Sequence, residues 1–393
     1  MKAYRFLTIS IFLAALIATM TGCKYDVADP QWDKPAAAGA TPAITGVNPA
    51  QAVAGVNKIT ITGNNFADSL SNNIVYFDNV SATIVGGSAT SLTVLRPNIV
   101  GDATTIKVVC TGALVVAKYN PYKVTSVMNK FVSTAAQIDA IEIDKSENLY
   151  FADRISSDIY QVTPSGSRKI VGNAGTIVND MKFAPSGKLL IVSQGTSEID
   201  QLDITTGNRM PWVYLVSRLG FCDFDANGNF YVGGVNRSLY VVRPDTSRIT
   251  VSGYNGDNII CLRVYNGYVY ILTATSVIWR NQILNATGSL AAREKVLDLS
   301  GAGFPVSPQK IAFSASGLLY IASTDTVQRT VVTYDLSSAK LEPLYKGIIP
   351  SSTPVRFVWG TGNLFYLLTL TSDAKYDILR IDAGTTGAPY YGR

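Results

Sequence analysis

The sequence predicts an all-β protein: an immunoglobulin-like sandwich followed by a six-bladed β-propeller. Three observations carry this. Of 393 residues only 16% are charged and 47% are hydrophobic, with 32 Gly, a balance that argues against disorder and against a helical bundle and favours turn-rich β-structure. From Pro42 onward, short runs of β-branched and aromatic residues alternate with turn residues. From residue 128 one phrase returns six times, at intervals of 39 to 50 residues. The chain also has no histidine, which excludes a Ser-His-Asp or Cys-His machine, a His-ligated zinc and an imidazole relay. Any catalysis would rest on carboxylates, Lys, Arg, Tyr or a bound ion.

The first segment, residues 1–22, reads as a signal peptide. Lys2 and Arg5 precede an apolar run from Phe6 to Met20, and Thr21-Gly22-Cys23 closes it. The box Met20-Thr21-Gly22-Cys23 resembles the bacterial lipoprotein signal, which implies lipidation of Cys23 and a membrane-anchored mature chain. An ordinary cleaved signal or a spanning anchor is the alternative, but the run is shorter than the ~20 residues a spanning helix needs. Loss of Lys2 and Arg5 lowers the net charge from +5 to +3, and no basic stripe accompanies it, so nucleic acid is not an expected partner. Residues 23–41, rich in Ala, Pro, Asp and Gly, read as a tether, with Trp32 and the scattered acids Asp26 and Asp29. Cys110, Cys222 and Cys261 remain, an odd number without close spacing, so no disulfide framework is expected.

Residues 42–124 carry short strands at Ala43 to Val47, Lys58 to Thr62, Ile74 to Phe77, Ala82 to Val85, Ser91 to Leu95 and Thr105 to Cys110, the spacing of an immunoglobulin-type sandwich. Pro42-x-Ile44-x-x-Val47-x-Pro49, the Gly63-x-x-Phe66 turn, Asn73-x-Val75-x-Phe77 and Thr90-x-Leu92-x-Val94 resemble an IPT/TIG domain. The resemblance implies a spacer or interaction module without chemistry.

Residues 128–393 hold the repeat. Tyr150, Leu190, Tyr231, Tyr270, Tyr320 and Phe365 mark its six copies, each with an alternating strand before it and another after it. One unit of four strands cannot cover its own faces, so six must close into a ring. The segment resembles NHL-type propellers, most clearly at Phe151-Ala152-Asp153. Ring closure is expected where Lys130 to Thr134 pairs into the last blade near Gly387 to Arg393.

Asp223-x-Asp225-x-Asn227-Gly228 copies half of a calcium loop, but its twelfth position is Gly234, and an Asn-Gly at this point suits a β-turn instead. No metal, cofactor or catalytic residue is therefore expected. Cys222 and Cys261, each nine residues before a repeat tyrosine, are expected at equivalent positions on adjacent blades as buried single thiols. Asn79-Val80-Ser81, Asn236-Arg237-Ser238 and Asn285-Ala286-Thr287 match glycosylation sequons, while Asp68-Ser69-Leu70 and Asp325-Thr326-Val327 look like Bacteroidetes O-glycosylation acceptors. Aromatic rings stack on sugar faces, and those off the repeat pattern are the candidate ligand contacts: Trp212, Tyr214, Tyr254, Tyr390 and Tyr391.

The domain order with lipidation looks like the surface proteins with which Bacteroidetes capture glycans. It implies a non-enzymatic lipoprotein on the outer membrane, facing the cell surface, that binds a polysaccharide or oligosaccharide at one axial mouth of the propeller, beside an outer-membrane transporter. A carbohydrate-active lyase or hydrolase, or a protein-binding adhesion or scaffold module, are the alternatives.

Overall fold

The computed structural model describes residues 38–393 except 135, 217, 235–238, 255–256, 301–306, 325–329, 352, 372 and 374, and for 353–355 the backbone alone. Cys23, Trp32, the Asn236 sequon and the Asp325 acceptor lie outside the described residues.

The N-terminal unit is a two-sheet sandwich. One sheet orders Ala43–Asn48, Lys58–Asn64, Ser91–Leu95 and Ile84–Ser88; the other orders Gln51–Ala52, Ala117–Val124, Gly101–Cys110, Asn73–Phe77 and Val80–Ala82. Alternation sets the inward face: Ile59 and Ile61 are fully buried against Val75, Phe77, Leu92 and Val94, each contributing about 1.5–3 kcal/mol by leaving water. Gly63 is required where it stands, because a Cβ there would strike the Ala43 carbonyl and the Phe66 ring. The single strand expected over Ala82 to Val85 is in fact two. Ala82 ends a strand of one sheet and Ile84 opens one in the other, the chain crossing between sheets at Thr83, whose carbonyl accepts Leu95 N–H at 2.8 Å.

Six four-stranded sheets follow. Their innermost strands are Ile138–Ile143, Val178–Phe183, Phe221–Phe224, Ile259–Tyr265, Pro308–Phe313 and Thr353–Trp359, in blades one to six. In blade one the first two strands are wholly buried, whereas the outermost, Arg168–Asn173, is largely exposed. Neighbouring blades cover both faces of the inner strands, so these read as continuous apolar runs. Packing is between blades as much as within them: the Tyr150 ring of blade one meets Phe183 of blade two edge-on at 5.0 Å.

The ring closes with Met128–Thr134 as the outer strand of blade six, antiparallel to Tyr376–Asp382. The closing segment is the one expected, but its partner is not Gly387 to Arg393. Asp382 ends the last strand, and residues 383–393 instead fold beneath the ring, where Ala388 N–H bonds the Phe313 carbonyl and Gly387 bridges Ser314.

The cysteine expectation also needs correction. Asp223 pairs with Tyr231 and Arg263 with Tyr270, because blade four turns through Asn266-Gly267 while blade three uses a longer loop. Counting nine residues back therefore lands one register apart: Cys222 precedes Asp223 directly, and Cys261 lies two before Arg263. All three described thiols are free and buried.

Candidate functional site

The turn that copies a calcium loop uses its oxygens locally. Asp225 Oδ1 accepts the Asn227 and Asn229 N–H groups, and Oδ2 accepts Asn229 Nδ2 and the Tyr231 hydroxyl at 2.7 and 2.9 Å. Asp144, Asn148 and Tyr150 repeat the arrangement in blade one. Asp223 points elsewhere, into the ring. Among the described residues no three acidic or sulfur side chains gather to hold a metal.

The axis of the ring is charged. Asp223 binds Arg263 at 2.6 Å, and Glu142 binds Lys182 at 2.5 Å, so acid and base alternate over blades one to four. These four side chains occupy one layer, directed inward by equivalent register positions. Arg263 also donates to the carbonyls of Ala388 and Pro389 and lies 3.6 Å over the Tyr390 ring, and Arg393 lies 4.2 Å from the centre of the same ring. Gly392 fits only as glycine, since a Cβ would meet the Phe183 carbonyl. The C-terminal segment thus stoppers the end of the ring that carries the inner hairpin turns.

The next layer up reaches across the axis. Lys310 of blade five meets Asp180 of blade two at 3.3 Å, and Arg356 of blade six donates to the Asn179 carbonyl at 3.0 Å. Burial opposes ionisation of Asp180, but Lys310, Lys182, Arg356 and the Cys222 N–H outweigh it and hold the carboxyl below its usual range. Burial lowers the Arg356 pKa, with Asp180 and Asp139 opposing, and it pushes the Cys222 and Cys261 thiols up, so neither is a ready nucleophile.

At the opposite mouth, the inner strands of five blades share a β-bulge, just before Ala140, Asp180, Cys261, Lys310 and Arg356. Bulges turn side chains out of the ladder, and here they recur where the strands enter the ring. Asn179, Ile260, Gln309, Arg356 and Phe221 of unbulged blade three are partly buried there. Lys310 and Arg356 stand 4.9 and 5.7 Å from the Phe221 ring, and Asp139 takes Arg154 at 2.6 Å. The mouth sets one aromatic ring beside cations, carboxylates held by cations, and the Asn179 and Gln309 amides, which donate to the Leu219 and Ser307 carbonyls, a constellation suited to binding a polar ligand.

The five aromatics singled out from sequence do not meet there. Trp212 packs edge-on to Phe230 at 5.4 Å and Tyr214 is exposed, both on the outer strand Arg209–Tyr214 of blade two. Tyr254 is fully buried, its hydroxyl bonded to Asn281, so a ligand cannot reach it. Tyr390 and Tyr391 belong to the stopper. Sequence reasoning missed Phe221, Asn179, Lys310 and Arg356. The one available signal was charge inside apolar strands, as in Asp180-Met181-Lys182.

Residues 42–125 match the IPT/TIG domain family, and no curated protein matches the chain. Among solved structures, an auxiliary nutrient binding protein from Bacteroides thetaiotaomicron VPI-5482 is similar with 10% identity and a TM-score of 0.55, covering 87% of this chain and 98% of that one. One from Bacteroides ovatus ATCC 8483 has 14% identity and a TM-score of 0.53, with the same coverage. A luciferin-regenerating enzyme has 15% identity and a TM-score of 0.55, covering 67% of this chain and 98% of its own. At these identities the likeness is one of fold alone, and in this chain that fold is an IPT/TIG sandwich followed by a six-bladed propeller.

Proposed function

We propose that this protein is a non-enzymatic, Cys23-lipidated surface protein that captures a glycan at the open mouth of its propeller, with the IPT/TIG sandwich as pedestal. The observation that carries this reading is the asymmetry of the ring. Among the described residues one end is stoppered by residues 383–393, while the other carries Phe221, with Lys310 and Arg356 4.9 and 5.7 Å from its ring. Sugars offer an apolar face for an aromatic ring and hydroxyls for amides and charged groups. The Bacteroides structures, described as nutrient binding proteins, support this class of role, as does the absence of histidine. A neighbouring outer-membrane transporter would receive the captured glycan.

Affinity electrophoresis and calorimetry of the full chain against a polysaccharide panel test the reading. At least one glycan is expected to bind without new reducing or unsaturated ends, and Phe221→Ala is expected to weaken it tenfold or more. Release of such ends would place the protein among carbohydrate-active enzymes. Unchanged affinity in the Phe221→Ala variant would remove the mouth from the account. For the anchor, metabolic labelling with a fatty acid is expected to mark the parent protein and not Cys23→Ser, and equal labelling of both would remove lipidation at Cys23 from the account.

A further inference from the structure

A second polar recess lies at the junction of the sandwich and blade five, away from the open mouth. It measures about 430 Å³ and is walled by Asn57 of the sandwich, by Tyr320, Thr333 and Leu344 of blade five, and by Gly384 and Thr385 beyond the last strand. Comparison among the blades shows what is unusual here. In blades one and three the repeat tyrosine gives its hydroxyl to the turn aspartate, Tyr150 to Asp144 and Tyr231 to Asp225. Blade five keeps the tyrosine as Tyr320, but Ser314 stands in the aspartate's place and bonds its own turn. Tyr320 is 2% exposed, and its hydroxyl has no hydrogen-bond partner among the described residues. The register carries that hydroxyl to the same turn, whose Ser316 and Leu318 also line the recess.

The ring of Tyr320 is packed away while its hydroxyl is left free to bond a guest in the recess it lines. The opposite wall offers a matching donor. Asn57 Oδ1 is fixed by Tyr345 N–H at 2.9 Å, which leaves Nδ2 directed away from that bond with no partner among the described residues. The carboxylates of the recess are already answered: Glu342 by Lys58 at 2.6 Å and Lys340 at 3.2 Å, and Asp335 by Ser337 and Ser338. That balance favours neither an anion nor a cation. Neutral hydroxyl and amide groups over leucine side chains suit an uncharged polyol with an apolar face, and the volume lies in the range of small-ligand sites.

We propose that this junction is a second binding site, for an uncharged sugar unit of one or two rings, with Tyr320 and Asn57 as its hydrogen-bonding residues. It stands on residues separate from the mouth, so the two readings fail separately. The test is saturation-transfer NMR and calorimetry on the full chain with glucose, galactose, mannose, cellobiose, maltose and lactose. At least one is expected to bind, with affinity falling tenfold or more in both Tyr320→Phe and Asn57→Ala and unchanged in Phe221→Ala. Tyr320→Phe keeps the ring in its packing, and an unchanged near-UV spectrum with unchanged melting temperature establishes that the effect is on the ligand. Binding by none of the six sugars, binding indifferent to both variants, or binding lost only in Phe221→Ala would each overturn the proposal.

Discussion

Arg263 and Asp223 form an ion pair with almost no exposure on either side chain, and such pairs are costly to break from one side only. Arg263→Met leaves the Asp223 carboxylate buried beside fewer donors, so urea unfolding should show a loss of about 3–5 kcal/mol. Asp180 gives a sign that can be read against pH. Its folded pKa is depressed, so its contribution is present above the unfolded carboxyl value near 3.9 and is lost as pH falls through the lower folded value. Asp180→Asn should therefore be less stable than the parent at pH 7, and the gap should close below about pH 4; a constant gap across a pH series of denaturation curves would refute this. Some residues announced their place in the sequence and others did not. Gly63 and Phe66 were legible because their need is local, a turn whose glycine touches the aromatic three residues on. Arg356 was not, because its partner Asn179 is 177 positions away and only ring closure brings them together.

At the scale of elements, the six-fold repeat was visible because each blade repeats a strand carrying a large side chain. The closing strand was half visible: the sequence placed it at Lys130 to Thr134, within the strand Met128–Thr134, but its partner depends on where the last blade ends. The sequence after Asp382, with Gly384, Gly387 and Pro389, does not distinguish a further strand from a stopper. In the structure Val132 of the closing strand is buried with Phe151 and Tyr366, so Val132→Asp puts an unpaired carboxylate into that core. It should lower stability by more than 3 kcal/mol, with amide exchange of Tyr376–Asp382 accelerating before that of blade three. The turn boxes of Asp144 and Asp225 show how a short motif can mimic a metal loop. Identical oxygens serve a cation or a backbone turn, and the asparagine and tyrosine that follow decide between them by taking both lone pairs of the second oxygen.

Across the whole molecule, the two units are docked. Tyr345 receives Gly55 N–H and gives its own hydroxyl to the Asp382 carbonyl at 2.9 Å, Asn57 holds its backbone, and Lys58 pairs with Glu342. Ala54 packs beside Tyr345 and Ala383 in the core of blades five and six. One calorimetric transition is expected for sandwich and propeller together, and Tyr345→Phe should split or broaden it, at a cost of about 1–3 kcal/mol for the bonds removed. Burial pushes the Tyr345 pKa up to about 12, with Gly55 and Arg96 opposing. The docking is therefore complete below the unfolded tyrosine value near 10 and weakens as pH rises towards 12, which phenolate absorbance followed beside the melting curve will register.

This docking involves Gly384 and Ala383, at the stoppered end, so the pedestal and the stopper share one pole of the ring. The topology that results is a blind well. No polymer can pass through it, and a long chain can offer only a terminus, a branch or a short bend at the rim. On the proposed function, the number of proteins bound to a polysaccharide would then follow its ends and branches more than its mass, and release would be a step backwards by the route of entry, without sliding.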